Sequence, residues 1–253
     1  EAIPGILDLF ERYGVRATWA TVRFLPCESK DELLARQPRE LPTYADSRLS
    51  NYSYLDEVGA DERRDPYFFG ANLARRIAGC PGQELGSHTF SHYYTLEPGQ
   101  SLEQFRSDLE AAVAVLRDRG AACRSIVFPR NQFGPEHVEA CRQAGIVAFR
   151  GTERAWCYRP APGADQGALR RLTRLADAYV DLMGANAAAI RADAISDVPA
   201  SRFLRPDARR IRRLEPLRLR RIQRAMEKAG QEGRAFHLWW HPHNFGADRE
   251  ENL

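Results

Sequence analysis

The amino-acid sequence predicts an α/β protein built on a parallel sheet, and three observations carry that expectation. Short apolar runs of strand character alternate with longer stretches whose apolar residues recur at helical spacing. Glycines punctuate the alternation: Gly14, Gly120 and Gly145 each end a periodic segment shortly before a strand-like run. The segments rich in histidine and arginine follow the strand-like runs. That places them at the C-terminal strand ends, where barrels and open α/β sheets build their sites.

Taken in order, Ile3 to Tyr13 has the spacing of an amphipathic helix, with Ile3, Ile6, Leu7, Leu9 and Phe10 as its apolar set and Pro4 in its first turn. Val15 to Val22 then reads as a strand. The first element is thus a helix, whereas alternating α/β chains ordinarily place a strand before it, so the sequence reads as lacking its first strand. Residues 26 to 66 are interrupted by Pro26, Pro38, Pro42 and Pro66, which predicts a long loop with one short helix over Lys30–Arg36. A helix over Phe69–Ile77 leads through Pro81-Gly82 to a short strand at Glu84-Leu85-Gly86. Ser101–Arg119 is a helix with Phe105, Leu109, Ala112, Val113 and Leu116 as its stripe. Strands follow at Ser125–Phe128 and Ile146–Phe149, separated by a helix over Pro135–Ala144. Leu169–Leu182 is helical, Ile195–Phe203 irregular around Pro199, Leu217–Gly230 a long basic helix, and Phe236–Trp240 a last strand. No internal repeat or linker interrupts this pattern, so residues 1–253 are expected to form a single domain.

Composition narrows the function classes. A chain of 253 residues can bury one sizeable core, and its 43% hydrophobic and 28% charged residues are ordinary for a globular domain. A formal charge of +3 argues neither for nor against a polyanionic partner. No apolar run reaches the roughly 18 residues of a membrane span. The five cysteines, Cys27, Cys80, Cys123, Cys141 and Cys157, form no CxxC pair, and their odd number fits free thiols in a reducing compartment, so a cytoplasmic location is expected.

The stretch Gln83-Glu84-Leu85-Gly86-Ser87-His88-Thr89-Phe90-Ser91-His92 carries two histidines four residues apart. If Ser87 caps a helix, both imidazoles share one helical face and reach one point in space. Imidazole is a common zinc ligand, and two of them imply a third protein ligand and a water. The plain alternative is a solvated helix that happens to carry two histidines. Later strand ends add Arg130, Trp156 and His241. His237 falls inside a strand and is expected to be packed, while His137 reads as a helix-surface residue. Trp239 and Trp240, adjacent in a strand, point to opposite faces, so one is core and the other can stack on a sugar ring. Arg202, in the loop Pro199–Pro206, is a candidate contact for an acidic sugar or a nucleotide-linked carrier, with a solvated connection as the alternative.

Ser87-His88-Thr89-Phe90-Ser91-His92 resembles the metal-binding motif of the polysaccharide deacetylases with the NodB homology domain, a carbohydrate esterase family 4 type of protein. Arg130-Asn131-Gln132-Phe133-Gly134 is similar to that family's R-P-P-Y-G segment with both prolines replaced, and Leu238-Trp239-Trp240-His241 to its late L-x-x-H motif. The opening Tyr13-Gly14-Val15-Arg16-Ala17-Thr18 is similar to the family's first helix and second strand. The resemblance covers nearly the whole chain, least well over 26–66 and 168–234. It implies a deformed (β/α) barrel that removes N- or O-linked acetyl groups from a carbohydrate, in bacterial surface-polysaccharide metabolism, with a divalent metal, zinc by ligand type. On it His88 and His92 are metal ligands, His241 the general acid, Arg130 the arginine that orients the catalytic carboxylate, and Leu238 a lining of the acetyl pocket. Trp156 and Trp240 are aromatic candidates for the substrate side.

One departure matters. The family's first motif is an aspartate pair, one the base and one a metal ligand, and nothing here matches it: Asp8 sits in a helix, and Asp46, Asp56, Asp61 and Asp65 in the long loop. The expectation is an N-terminally truncated chain with little activity as it stands. The first rival reading is a non-catalytic carbohydrate-binding member of the same fold. The second is a basic interaction module, since Arg209, Arg210, Arg212, Arg213, Arg218, Arg220, Arg221 and Arg224 cluster before and along the late helix. With no aromatic residue interleaved, this cluster argues against nucleic acid and leaves a solvated face or peripheral contact with anionic headgroups.

Overall fold

The computed structural model describes the 253-residue chain except residues 1, 23, 154, 160, 163–166, 191–193 and 208. Two compact units are present, one comprising Phe10–Phe149 and the other Glu1–Leu9 with Arg150–Leu253. Helix α1 (Ala2–Tyr13) opens the chain, as its apolar spacing predicts.

The Phe10–Phe149 unit is an α/β arrangement on a parallel sheet. Strands β1 (Ala17–Thr21), β2 (Gln83–Ser87), β3 (Ser125–Ile126) and β4 (Ala148–Phe149) lie side by side in sequence order. The register pairs Ala20 with Gly86, Ser87 with Ile126, and Ile126 with Phe149, all parallel. Gly86 is required at the middle of this sheet: a Cβ there would lie 2.6 Å from Thr18 Cγ2 and 2.7 Å from Ser125 Oγ. Helices α3 (Ala71–Gly79), α4 (Leu102–Asp118) and α5 (Pro135–Gln143) each precede the next strand. Ser101 and Gln104 close a capping box at the start of α4, each side chain taking the other's backbone N–H at 3.3 and 3.2 Å.

The expected long loop over 26–66 contains α2 (Lys30–Ala35), a single 3₁₀ turn at Ser47–Leu49 and a longer 3₁₀ helix at Asn51–Glu57. It is packed down by its own apolar residues. Phe24, Cys27, Leu33 and Leu55 join Phe69, Phe90, Ala112 and Val115 in one buried cluster.

The other unit holds α6 (Ala168–Tyr179), β5 (Ser196–Asp197), β6 (Arg202–Phe203), α7 (Glu215–Gln231), β7 (Leu238–Trp239) and α8 (Arg249–Asn252). The stretch Ile195–Phe203, expected to be irregular, contains two short strands, and β6 runs parallel to β7 with Arg202 opposite Leu238. Its organising group is Asp177 of α6, fully buried. Asp177 accepts hydrogen bonds from Tyr158 Oη at 2.9 Å and from the backbone N–H groups of Leu182 and Met183 at 3.2 and 2.9 Å. It also forms ion pairs with Arg202 and, at 2.8 Å, with Arg221. A buried carboxylate needs such company.

All five cysteines are free thiols. No helix among the described residues is long and apolar enough to cross a membrane.

Candidate functional site

The two histidines come together, but not on a helix. Strand β2 ends at Ser87, and residues 88–92 form an irregular loop in which Thr89 (φ 63°) and His92 (φ 60°) are left-handed. Ser87 Oγ accepts the Thr89 N–H at 3.1 Å, so it shapes a tight turn rather than capping a helix. Thr89 is β-branched, and such a residue in the left-handed region is a strained one. Its hydroxyl offsets the strain by donating to the His88 carbonyl at 2.6 Å and accepting the Tyr93 N–H at 2.7 Å.

A carboxylate beneath the loop holds the shape. Asp108, fully buried on α4, accepts the Phe90 N–H at 2.7 Å, the Ser91 N–H at 3.0 Å, and the Ser91 hydroxyl. Burial nevertheless pushes its carboxyl up to about 6, the hydrogen bonds offsetting only part of the desolvation. Phe90 plants the loop in the core, edge-on to Phe24 with ring centroids 5.2 Å apart.

The rings of His88 and His92 then stand 4.7 Å apart, tilted by 66°. His88 Nδ1 is 2.7 Å from the Val127 carbonyl oxygen, just after β3. A carbonyl only accepts, so Nδ1 carries the proton and the lone pair resides on Nε2, the arrangement in which metal-ligating histidines are oriented by a backbone carbonyl. His92 Nδ1 lies 3.1 Å from the Tyr94 hydroxyl. The Arg130 guanidinium sits 4.1 Å over the Tyr94 ring and donates to Glu97 at 3.1 Å. Gln132 donates to the same Glu97 oxygen at 2.7 Å. Thus His88, His92, Tyr94, Arg130 and Glu97 form one linked set at the C-terminal ends of β2 and β3. Arg130 (φ 53°) and Asn131 (φ 54°) are also left-handed, so four of the six such non-glycine residues among those described fall in these two loops. Strain of this kind concentrates at functional sites.

The pair fits a divalent cation as two imidazole ligands. A full ligand set is not made: among the described residues no three His, Cys, Asp or Glu side chains are grouped to hold an ion. Arg130, expected to aim a catalytic carboxylate, has Glu97 as its carboxylate partner.

In the other unit, His241 directly precedes a 3₁₀ turn over Pro242–Phe245. Its ring stacks on His243 (5.3 Å between centroids, 22°) and stands edge-on to Trp239 at 5.6 Å. Burial, then the neighbouring His243 and Arg150, hold its pKa below the ordinary histidine value. Arg150 lies 4.2 Å over the Trp239 ring. Leu238 is half-buried in β7, Trp240 lies 6.4 Å from Phe245, and Trp156 is exposed in a 3₁₀ turn over Trp156–Tyr158. Arg202, the candidate contact for an acidic sugar, is neither a loop nor a solvated residue: it is a buried strand residue whose guanidinium meets Asp177 and, at 2.8 Å, the Gly184 carbonyl. His237 is hydrogen-bonded to the Val198 carbonyl at 3.2 Å, in keeping with a packed residue. His137 is not a surface residue: it is buried, edge-on to Phe105 at 5.2 Å, and caps α5 by accepting the Gly134 N–H at 3.0 Å.

Sequence reasoning passed over Tyr94, Glu97, Asp108 and Glu153. Asp108 was visible as a carboxylate on the apolar stripe of α4, between Phe105 and Leu109. Glu153 is buried and desolvation pushes its carboxyl up to about 8. Tyr94 and Glu97 sit in an aperiodic segment that offers no such cue.

No family model matches the chain. No curated protein matches it either. Among solved structures it is similar to IcaB from Ammonifex degensii, at 14% identity and a TM-score of 0.40, over 64% of this chain and 59% of that one. It is similar to a de-N-acetylase from Aggregatibacter actinomycetemcomitans, at 15% identity and a TM-score of 0.39, over 66% of this chain and 68% of that one. A third likeness is to BA3943, a CE4 family pseudoenzyme from Bacillus anthracis, at 14% identity and a TM-score of 0.39, over 96% of this chain and 60% of that one. The chain thus spans about three-fifths of the length of the first of these.

Proposed function

We propose that this chain is a polysaccharide deacetylase-type protein, part of a deformed (β/α) barrel, that holds a divalent cation, zinc by ligand type, on His88 and His92 and acts on an acetylated carbohydrate. The observation that supports the reading is the pair of imidazoles 4.7 Å apart on a strained loop, with His88 turned so that its lone pair is on Nε2. The chemistry a divalent cation supplies when held there is polarisation of a carbonyl and a lowered pKa for water.

The chain's own residues have defined tasks on this reading. The Val127 carbonyl and the Tyr94 hydroxyl aim the two rings. Arg130, braced by Glu97 and Tyr94, presents a fixed positive charge beside them. His241 handles the proton. With its pKa held low it is neutral near pH 7, so to serve as the general acid it first takes the proton that the attacking water loses and then gives it to the leaving nitrogen or oxygen. Leu238, Trp156 and Trp240 are the proposed apolar and aromatic contacts to sugar.

A second reading is favoured by one observation, the lack of a third metal-binding side chain beside the pair among the described residues. It is a non-catalytic carbohydrate-binding protein of the same fold. Elemental analysis of the purified protein beside His88→Ala tests the metal: on the first reading the wild type is expected to retain zinc and the variant to lose it. Equal metal content in the two sinks the metal-dependent reading and leaves the carbohydrate binder. Acetate release from an N-acetylated oligosaccharide then separates enzyme from binder.

A further inference from the structure

Helix α6 is docked with its apolar side outward. At 3.6 residues per turn, Leu169, Leu172, Leu175, Ala176 and Tyr179 share an arc of roughly 120°. The residues α6 buries are Asp177 and Ala178, on the opposite edge. Asp177 is the hub that receives Tyr158, Arg202 and Arg221, so the polar edge faces protein and cannot be rotated away without stranding a buried carboxylate. The leucines are left in solvent: Leu169 is 69%, Leu172 62% and Leu175 38% exposed, and Val180 (59%) and Leu182 (52%) extend the patch past the helix end. Contiguous exposed apolar side chains of this kind mark a contact surface.

Charge selects the partner. Helix α6 carries Arg170, Arg171 and Arg174, and its sole acid, Asp177, is buried and paired. Arg171, which is exposed, borders the leucine stripe. A leucine face bordered by an exposed arginine, whose nearest exposed carboxylate, Asp181, is already paired with Arg221 at 2.9 Å, is complementary to an interface that is apolar beneath and negative on top. The long basic helix α7 suits that role less well. Its Arg218 is turned onto Glu215, and its Arg221 onto Asp177 and Asp181.

We propose that α6 is a peripheral membrane contact, lying along an anionic lipid surface with Leu169, Leu172 and Leu175 in the acyl boundary and Arg171 among the headgroup phosphates. This does not depend on the metal or on catalysis.

The test is co-sedimentation of the full chain with vesicles of phosphatidylglycerol and phosphatidylcholine in equal parts, against vesicles of phosphatidylcholine alone. Binding is expected on the anionic vesicles only, weakening with added salt. Leu172→Gln should weaken it roughly tenfold, and Arg171→Gln by about fivefold. Both positions are exposed, so both variants should keep the wild-type thermal melt. The proposal is overturned by absence of binding, by equal binding to uncharged vesicles, or by binding that Leu172→Gln leaves unchanged. It is also overturned if the chain alone is an oligomer that Leu172→Gln reduces to monomer, since the stripe is then a contact between copies.

Discussion

Asp108 sits on the buried stripe of α4 and takes three hydrogen bonds from the loop that carries His88 and His92. Its folded pKa, about 6, exceeds the ordinary aspartate value near 3.9. Between those pH values the folded protein binds a proton that the unfolded chain does not, so this group makes stability fall as pH rises from about 4 to 6. Urea denaturation at a series of pH values should show this effect as the difference between the two curves, with the stability of Asp108→Asn lacking the contribution that the wild type loses between about pH 4 and 6. Asp108→Ala should cost more at every pH, about 1–3 kcal/mol for each buried donor it strands, and should lower metal retention although Asp108 touches no imidazole. Retention unchanged in a folded Asp108→Ala would show that the loop holds its shape without the carboxylate.

At the scale of elements, the helices were legible from apolar spacing and their glycine stops; α4 buries the stripe that spacing names, whereas α6 leaves its leucines exposed and ends at Tyr179 rather than Leu182. Ser101→Ala should remove about 0.5–2 kcal/mol by opening the α4 cap. Gly86→Ala should cost about 1–3 kcal/mol, since the added methyl meets Thr18 and Ser125 on either side of β2; thermal melts of the two variants check both figures. What spacing did not reveal was the conformation after β2. A separation of four residues suggests a helical face, yet Thr89 and His92 are left-handed, and their pairing depends on a carboxylate from a helix 16 to 20 positions away. Local sequence carries no signal for a bond to Asp108. For the same reason the burial of Arg202 was invisible: its partner Asp177 lies on a different element.

Across the whole molecule, titrating groups pull in opposite directions. His137, His237 and His241 all have pKa values lowered by burial, so the unfolded chain binds protons they refuse, and stability falls as pH drops below about 6.5. Asp108 and Glu153, with raised pKa values, act oppositely between about 4 and 8. The wild-type curve is therefore expected to be flatter than either set alone would give. Replacing both acids, Asp108→Asn with Glu153→Gln, should tilt it so that stability declines steadily below about pH 6.5; calorimetry across that range would show the tilt or its absence. The identity of the candidate site was partly legible at this scale, through histidines and arginines after strands and through Asp108 on the α4 stripe, while Glu97, in an aperiodic segment, was not.

The tie between α4 and the histidine loop has a kinetic consequence. The Phe90 and Ser91 amides belong to no regular element, yet both are locked to a side chain at the centre of a long helix. Their deuterium uptake should keep time with the opening of α4 rather than with that of exposed loops, so a ligand arriving at His88 and His92 would be felt as slower exchange along the middle of that helix.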